Sequence, residues 1–425
     1  MKIVKAYTTH ELEPFIKPFG FKGRSLSGGW QIYTLLVGEG EIGLGLGMQS
    51  VLWSDSSVFL RYGEEKSNEM MFRVTEYALS LITGKSFSSP KEMTESLIAP
   101  CIEYAERITD MKVTETFVLN ALVSVDLAAW QLYSNLNGIT SFDKIYKGQR
   151  KQDLLASIPL ITYGTSVDEV KKLAEGGTPL FKIKLGADPD GDGDPEKMLD
   201  WDKKRIIELH SVLKDIKTPY TDCSHPVYYF DANGRYDTKE RLSLLVDFMV
   251  ECGAAERTVL FEEPFSPENK INISEFPICF AADESCHSVA DVAERISLGY
   301  RAITLKPIAK TLSVSIDMAE CAHRAGIACF CADLTVSPAM VEWNKNFAAR
   351  LNSIPGMRIG VLETNGEQNY KNYEKMKALL PYPDRYESGV FNLLKGFYVH
   401  AGGIFEANSY YLDYIKTEFE IEEDF

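Results

Sequence analysis

The sequence has no Cys-x-x-Cys pair, no block of lysines and arginines, and only six histidines in 425 residues. Each absence removes a class of function. Without paired cysteine spacings, the eight cysteines form neither a zinc site nor a thioredoxin-type redox motif, and buried reduced thiols are expected instead of a disulfide framework. No G-x-G-x-x-G turn opens a helix after the first strand, so a dinucleotide fold has no support. The 61 acidic residues against 45 basic ones leave a formal net charge of -16, which repels nucleic-acid backbones and anionic lipid. The first residues, MKIVKAYTTHELEP, contain no apolar core of a signal peptide, and no uninterrupted apolar run approaches the ~18 residues that span a bilayer. The expected location is the cytoplasm and the expected partner a small molecule, with no nucleic acid and no membrane. A homo-oligomer is also expected.

What is present is ordinary globular composition, 45% hydrophobic and 25% charged, with enough chain for two substantial cores. The first ~140 residues read as strands followed by helices: KIVKAYT and WQIYTLLVGEGEIGLGLG precede three longer helical periodicities. The third, Thr114 to Gly138, is apolar nearly all round and ends on Asn137-Gly138, as a buried helix joining two domains would. From about residue 156 the texture changes. Eight short apolar runs (IPLITYG, LFKIKLG, VYYFDANG, TVLFEEP, ICFAADES, AITLKP, IACFCAD and RIGVLET) alternate with amphipathic stretches. Eight consecutive strand–helix units favour a closed (β/α)8-type, TIM-like barrel over an open doubly wound sheet. The expected division is an α+β capping domain over 1–140, the barrel over 141–365, and over 366–425 a last barrel helix and a segment that returns to complete the cap.

Parallel strands buried on both faces should be apolar throughout. Here nearly every one ends in charge: Lys182 and Lys184, Asp231 and Asn233, Glu262 and Glu263, Asp283 and Glu284, Lys306, Asp333, and Glu363. In a barrel these ends form the active face, so the charges share one site. A single acid in such a place often caps the helix that follows. Three successive strands ending in Asp231, Glu262 and Asp283 would repel one another unless a cation lay among them. Oxygen ligands of this kind suit Mg2+, with Mn2+ as a substitute. Alternation places Lys182 and Lys184 on one face, and Lys184 and Lys306 come from the second and sixth of eight strands, nearly opposite around the ring. A carbon held between them has a base on each side. Proximity to each other and to a metal is expected to lower the lysine pKa values, making a neutral amine available.

The order of motifs K-I-K (Lys182 to Lys184), F-D-A-N (Phe230 to Asn233), E-E-P (Glu262 to Pro264), A-D-E-S (Ala282 to Ser285) and L-K-P (Leu305 to Pro307) resembles the enolase superfamily, specifically the mandelate racemase/muconate-lactonising-enzyme family. VDLAAWQLYSNLNG resembles that family's domain-joining helix. The resemblance implies that Asp231, Glu262 and Asp283 bind Mg2+, that Lys184 and Lys306 are the acid/base pair, and that Lys182 neutralises the substrate carboxylate. It implies α-proton abstraction through an enediolate. Racemisation or epimerisation of an amino-acid derivative or dipeptide is the leading expectation; a dehydratase or cycloisomerase acting on an acid sugar or similar carboxylate is the alternative.

Three features depart from the family pattern. The interval from Lys184 to Asp231 is long, at 47 residues, and contains the acidic run ADPDGDGDP. Its Asp188, Asp190, Asp192, Gly193 spacing imitates the start of a calcium loop, but Leu199 stands where the closing Glu belongs. A solvated loop, a weak cation site and a lid over the site remain alternatives. The seventh strand ends C-A-D with no histidine, leaving Asp333 without a His partner. The eighth ends Glu363-Thr364-Asn365 in place of the Asp-x-Asp with which dipeptide epimerases hold a substrate ammonium, so Glu363 and Asn365 are candidate substrate contacts together with Asp333. Lys22 and Arg24, in the glycine-rich loop of the cap, are candidates for reading the distal part of a substrate, as are Trp30, Ser50 and Trp53 nearby.

Overall fold

The computed structural model describes residues 1–21, 24–380, 386–387, 389–393 and 410–422, excluding the side chains of 19–21. Three long strands open the chain: β1 (Lys5–Phe21), β2 (Arg24–Gly38) and β3 (Glu41–Gln49). They form an antiparallel meander. Gly38 pairs with Glu41 across a two-residue turn in which Glu39 and Gly40 both have positive φ, the backbone that matches the twist of a hairpin. The first strand is far longer than KIVKAYT suggests, because pairing with β2 continues past an irregularity between Pro14 and Phe19.

Helices Glu64–Ile82 and Glu115–Leu136 pack on this sheet, and Pro90–Thr109 packs on both of them. The helix Glu115–Leu136 begins on the Thr114 cap, whose side chain accepts from the Phe117 amide, and from Thr116 through Gln131 every side chain is buried. Its composition and length would allow it to cross a membrane, but 94% of its most apolar window is buried inside the fold. It can lie so close to β3 because that strand reads Gly-Leu-Gly-Leu-Gly: a Cβ on Gly43 or Gly45 would meet the Ala128 or Ser124 carbonyl oxygen at 2.0 Å. Asp126, fully buried on this helix, accepts from Thr94 Oγ1 (2.7 Å) and from the Leu312 amide (2.8 Å), joining the cap helices to a barrel helix.

The second sheet is parallel over β6 (Leu180–Lys184), β7 (Val227–Asp231), β8 (Thr258–Glu262), β9 (Phe280–Ala282), β10 (Ala302–Leu305), β11 (Ala328–Cys331) and β12 (Gly360–Glu363), in ring order. Its first strand is broken at Pro159 into β4 (Leu154–Ile158) and β5 (Leu160–Ile161). β4 pairs with β12, β5 pairs with β6, and the Lys182 amide donates to the Pro159 carbonyl, so the eight strands close into a barrel at the residue that has no N–H to give. The first strand thus begins at Leu154, upstream of IPLITYG. A short antiparallel ribbon, β13 (Tyr386–Glu387) and β14 (Val390–Asn392), lies beside β4. The terminal helix Tyr410–Glu418 packs on β1 and β2, with the Tyr410 hydroxyl 3.2 Å from Glu11. All eight cysteines are free.

Each barrel strand alternates between two cores. On β7, Tyr228 and Phe230 pack outward against the helices, and Val227 and Tyr229 pack into the barrel interior. Likewise Leu180, Leu260, Ala281, Ala302, Phe330 and Val361 fill the interior.

Candidate active site

The same alternation decides which charges meet. Two residues beyond Tyr229 on the inner face is Asp231, two beyond Leu260 is Glu262, and two beyond Ala281 is Asp283. Lys182 and Lys184 follow Leu180 at steps of two, Lys306 follows Ala302 at a step of four, and Glu363 follows Val361. A period-2 rule on strands held in register by their hydrogen bonds therefore gathers seven charged groups at the C-terminal mouth. Asp231 and Lys184 are direct register partners, as are Asp231 and Glu262. Glu263 and Glu284 have the opposite parity and still reach the cavity, Glu263 accepting from the Asp283 and Ser285 amides and Glu284 from Asn233 Nδ2.

The groups interlock. Lys182 Nζ is 2.9 Å from Glu262, 3.2 Å from Asp231 and 3.2 Å from Glu363. Its ammonium also lies 4.9 Å from the centre of the Tyr229 ring, and the Tyr229 hydroxyl donates to Glu262. Lys184 Nζ is 2.5 Å from Asp231 and from Asn233 Oδ1. Lys306 Nζ is 2.5 Å from Asp283 Oδ2, and its ammonium sits 4.7 Å over the Trp53 ring. On the other side of Asp283, Lys310, fully buried, donates to the Cys286 carbonyl at 2.7 Å and lies 3.8 Å from Asp283 Oδ1.

Burial opposes the charged form of Asp231, Glu262, Asp283 and Asp333, and the outcome for each depends on whether it has enough cation nearby. Burial alone would push Asp231 up, but Lys182 and Lys184 hold it well below the ordinary range; Lys306 and Lys310 do the same to Asp283. Glu262 goes the other way, raised by burial and by the neighbouring Asp231 charge. Asp333 is pushed up to about 7 by burial and by Glu363. Burial opposes the charged form of Lys182 and Lys306, but the carboxylates outweigh it and raise both. Each of these two ammoniums faces carboxylates at contact distance and its fellow lysines only beyond them, whereas the lowering expected from the sequence is that of lysines beside a bound cation. Lys310, with fewer carboxylates in contact, is lowered by its burial.

A cavity of about 840 Å3 opens over this cluster. Of the residues singled out in the sequence, Lys182, Lys184, Asp231, Asn233, Glu263, Asp283, Glu284, Lys306, Asp333, Glu363 and Asn365 line it, with Ser50 and Trp53 from the cap. Glu262 lies beneath, fully buried. Asp333 accepts from the Leu334 and Asn365 amides, which fixes the Asn365 backbone while its Oδ1 stays buried and without a partner. Arg24 is exposed and does not line the cavity; Lys22 lies outside the described residues. Trp30 stacks on His10 instead, at 4.1 Å between ring centres. The acidic run folds onto itself: Lys197 bridges Asp190 (2.6 Å) and Asp192 (2.7 Å), and Asp194 caps the helix Pro195–Leu213. Asp188 alone of these reaches the cavity rim.

Lys310, Tyr229, Tyr163 and Arg235 at or under the cavity carry no motif. Lys310 had one usable signal, since it stands one helical turn after Lys306 and its amide donates to the Lys306 carbonyl.

A divalent cation has a suitable donor set here, although among the described residues no three His, Cys, Asp or Glu side chains stand close enough to form a ready cage. Lysine ammonium groups lie against the carboxylates instead. Three inner-face carboxylates come from neighbouring strand ends, the ligands are all oxygen, and Asp283 Oδ1 and Glu284 Oε2 are buried without hydrogen-bond partners. That chemistry fits a hard cation.

No protein-family model and no curated protein sequence matches this chain. Solved structures do. A mandelate racemase/muconate lactonizing protein from Herpetosiphon aurantiacus superposes with a TM-score of 0.69 at 17% identity over 95% of this chain and 97% of that one. The L-Ala-D/L-Glu epimerase from Bacillus subtilis gives 0.66 at 16%, covering 95% and 98%. A dipeptide epimerase from Enterococcus faecalis V583, complexed with Mg and L-Leu-L-Tyr, gives 0.65 at 15%, covering 95% and 99%. The chain therefore has the two-layered cap and barrel fold of the mandelate racemase/muconate lactonizing structures of the enolase superfamily.

Proposed function

We propose that this chain is an enolase-superfamily racemase or epimerase that removes the hydrogen α to a carboxylate on one face and returns it on the other. The observation that carries the reading is the placement of Lys184 and Lys306 at the ends of the second and sixth strands of an eight-strand ring, with the carboxylate set between them. The similar structures include epimerases, which supports this chemistry in preference to a binding role.

A cation held by Asp231, Glu262 and Asp283, Mg2+ or Mn2+ in its place, would supply positive charge to the substrate carboxylate as negative charge develops there. Lys182, already among three carboxylates, adds a fixed positive charge beside it. Lys184 and Lys306 transfer the proton, and each must lose its present carboxylate contact to act as a base. Glu363, Asn365 and Asp333 hold a polar donor of the substrate, the Asn365 Oδ1 being an acceptor without a protein partner. Arg24 takes no part in this assignment. The reading extends to an amino-acid derivative or dipeptide as substrate and the cytoplasm as its place of work.

The test is a screen of dipeptides, N-acyl amino acids and acid sugars with Mg2+ in D2O, followed by proton NMR. Exchange of an α-hydrogen that stops on chelation and returns with Mg2+ or Mn2+ is expected. Undiminished exchange in metal-free protein would overturn the cation assignment, and elimination from an acid sugar would make the enzyme a lyase.

A further inference from the structure

The cavity is divided by chemistry. Its floor and one side are the charged strand ends; the wall facing them comes from the cap and from loops that meet it. Phe15 on β1, Leu26 on β2, Met48 on β3 and Trp53 just after it line the cavity together with Leu160 and Leu334. Among the described residues, the cap gives this cavity no charged side chain.

The apolar wall is built firmly. Phe15 packs on Tyr370 with ring centres 5.0 Å apart, and the Tyr370 hydroxyl donates to the Thr335 carbonyl at 2.7 Å and contacts Met48 Sδ at 3.1 Å. One buried tyrosine thus ties two strands of the cap to the loop after β11. Leu26, Met48 and Leu334 are each buried. Around 840 Å3 also exceeds what an α-carboxylate, its α-carbon and an amine fill; pockets of this size enclose drug-sized ligands. The surplus lies against the apolar wall, where a charged group would lose water and gain no partner.

We infer that the substrate carries, beyond its reacting carbon, an uncharged apolar group (an aliphatic or aromatic side chain or acyl chain) that seats against Phe15, Leu26, Met48, Trp53, Leu160 and Leu334. This rests on the proposed α-proton chemistry and narrows its substrate class. The charged groups that line the outer cavity, Asp188 and the exposed Arg235, belong to barrel loops; Arg235 Nε donates to the Gly186 carbonyl at 3.2 Å and so is engaged with the loop after Lys184.

The experiment measures α-hydrogen exchange in D2O with the whole protein and Mg2+ on a matched panel: L-Ala-L-Leu, L-Ala-L-Phe, L-Ala-L-Asp, L-Ala-L-Lys, N-hexanoyl-alanine and N-succinyl-alanine. Apolar members should exceed charged ones by roughly 100-fold in kcat/KM, the scale on which a hydrophobic pocket discriminates. Leu26→Arg, checked for an unchanged circular dichroism spectrum, should narrow that gap and favour the succinyl and Asp compounds. Equal exchange across the panel, or a wild-type preference for an anionic or cationic member, overturns the inference while leaving the proton chemistry standing; an anionic preference would point to Arg235. Exchange with no member contradicts the underlying reading itself.

Discussion

Two acidic regions of this chain look alike in sequence and differ in structure. One is the run Asp188, Asp190, Asp192, Asp194; the other is Asp231, Glu262 and Asp283, scattered over some fifty residues. The run is the denser cluster, yet Asp188, Asp190 and Asp192 are exposed and Asp194 half-buried, and all are satisfied nearby, by Lys197, by backbone amides and by a helix N-terminus. The scattered three are buried, share one mouth, and are balanced by the buried Lys182 and Lys306 and the half-buried Lys184. Density of charge along a chain says little about a site. Repetition of charge at the inner-face position of successive strands says much, because register converts that position into proximity and burial makes the proximity expensive.

The contrast can be broken most forcefully by neutralising each region in turn. Asp231→Asn, Glu262→Gln and Asp283→Asn should each lower α-hydrogen exchange by at least about 100-fold and weaken Mg2+ binding in calorimetry, since several kcal/mol of charge stabilisation would go with the cation. Replacing Asp188, Asp190, Asp192 and Asp194 together by Asn should leave exchange within about two-fold, by the low worth of exposed ion pairs. Equal damage from both sets would erase the distinction. A smaller effect concerns Lys197→Ala, which opens the loop: the melting temperature should stay unchanged and no Ca2+ affinity should appear, because the loop lacks a closing glutamate.

How far the sequence revealed this site follows from the same rule. K-I-K, F-D-A-N, E-E-P, A-D-E-S and L-K-P could be read because each strand keeps its alternation in a stretch of a few residues. The start of the first strand at Leu154 was not legible, since closure at Pro159 depends on β12 and β6, which are far away in the chain. Nor were Trp53 under Lys306 and the Tyr370 tie, which arise only when the cap meets the barrel. His287 has its Nδ1 buried without a partner and its pKa pushed down to about 3 by burial, and it does not line the cavity.

The smallest expected effect lies between the two regions. Asp202 accepts the Gly186 amide at 2.9 Å, just after Lys184, and the Tyr236 hydroxyl at 2.8 Å; burial raises it to about 7. A carboxyl whose pKa is higher in the folded chain than in the unfolded one stabilises the fold fully below the unfolded value, near 4, and that contribution is lost as pH rises through about 7. Thermal melts from pH 4 to pH 8 should therefore show a decline that is shallower in Asp202→Asn. A parallel decline in the variant would contradict this role.

The central claim is that two lysines serve opposite faces of one carbon, and deuterium exchange on separate enantiomers tests it most directly. Lys184→Ala and Lys306→Ala should each lose net epimerisation by about 10²–10⁴-fold, the usual worth of a general base. Each variant should still exchange the α-hydrogen of one enantiomer without inverting it, and the two variants should prefer opposite enantiomers. If both variants lose exchange with both enantiomers alike, or if both retain it with the same one, Lys184 and Lys306 are not a pair of facing bases.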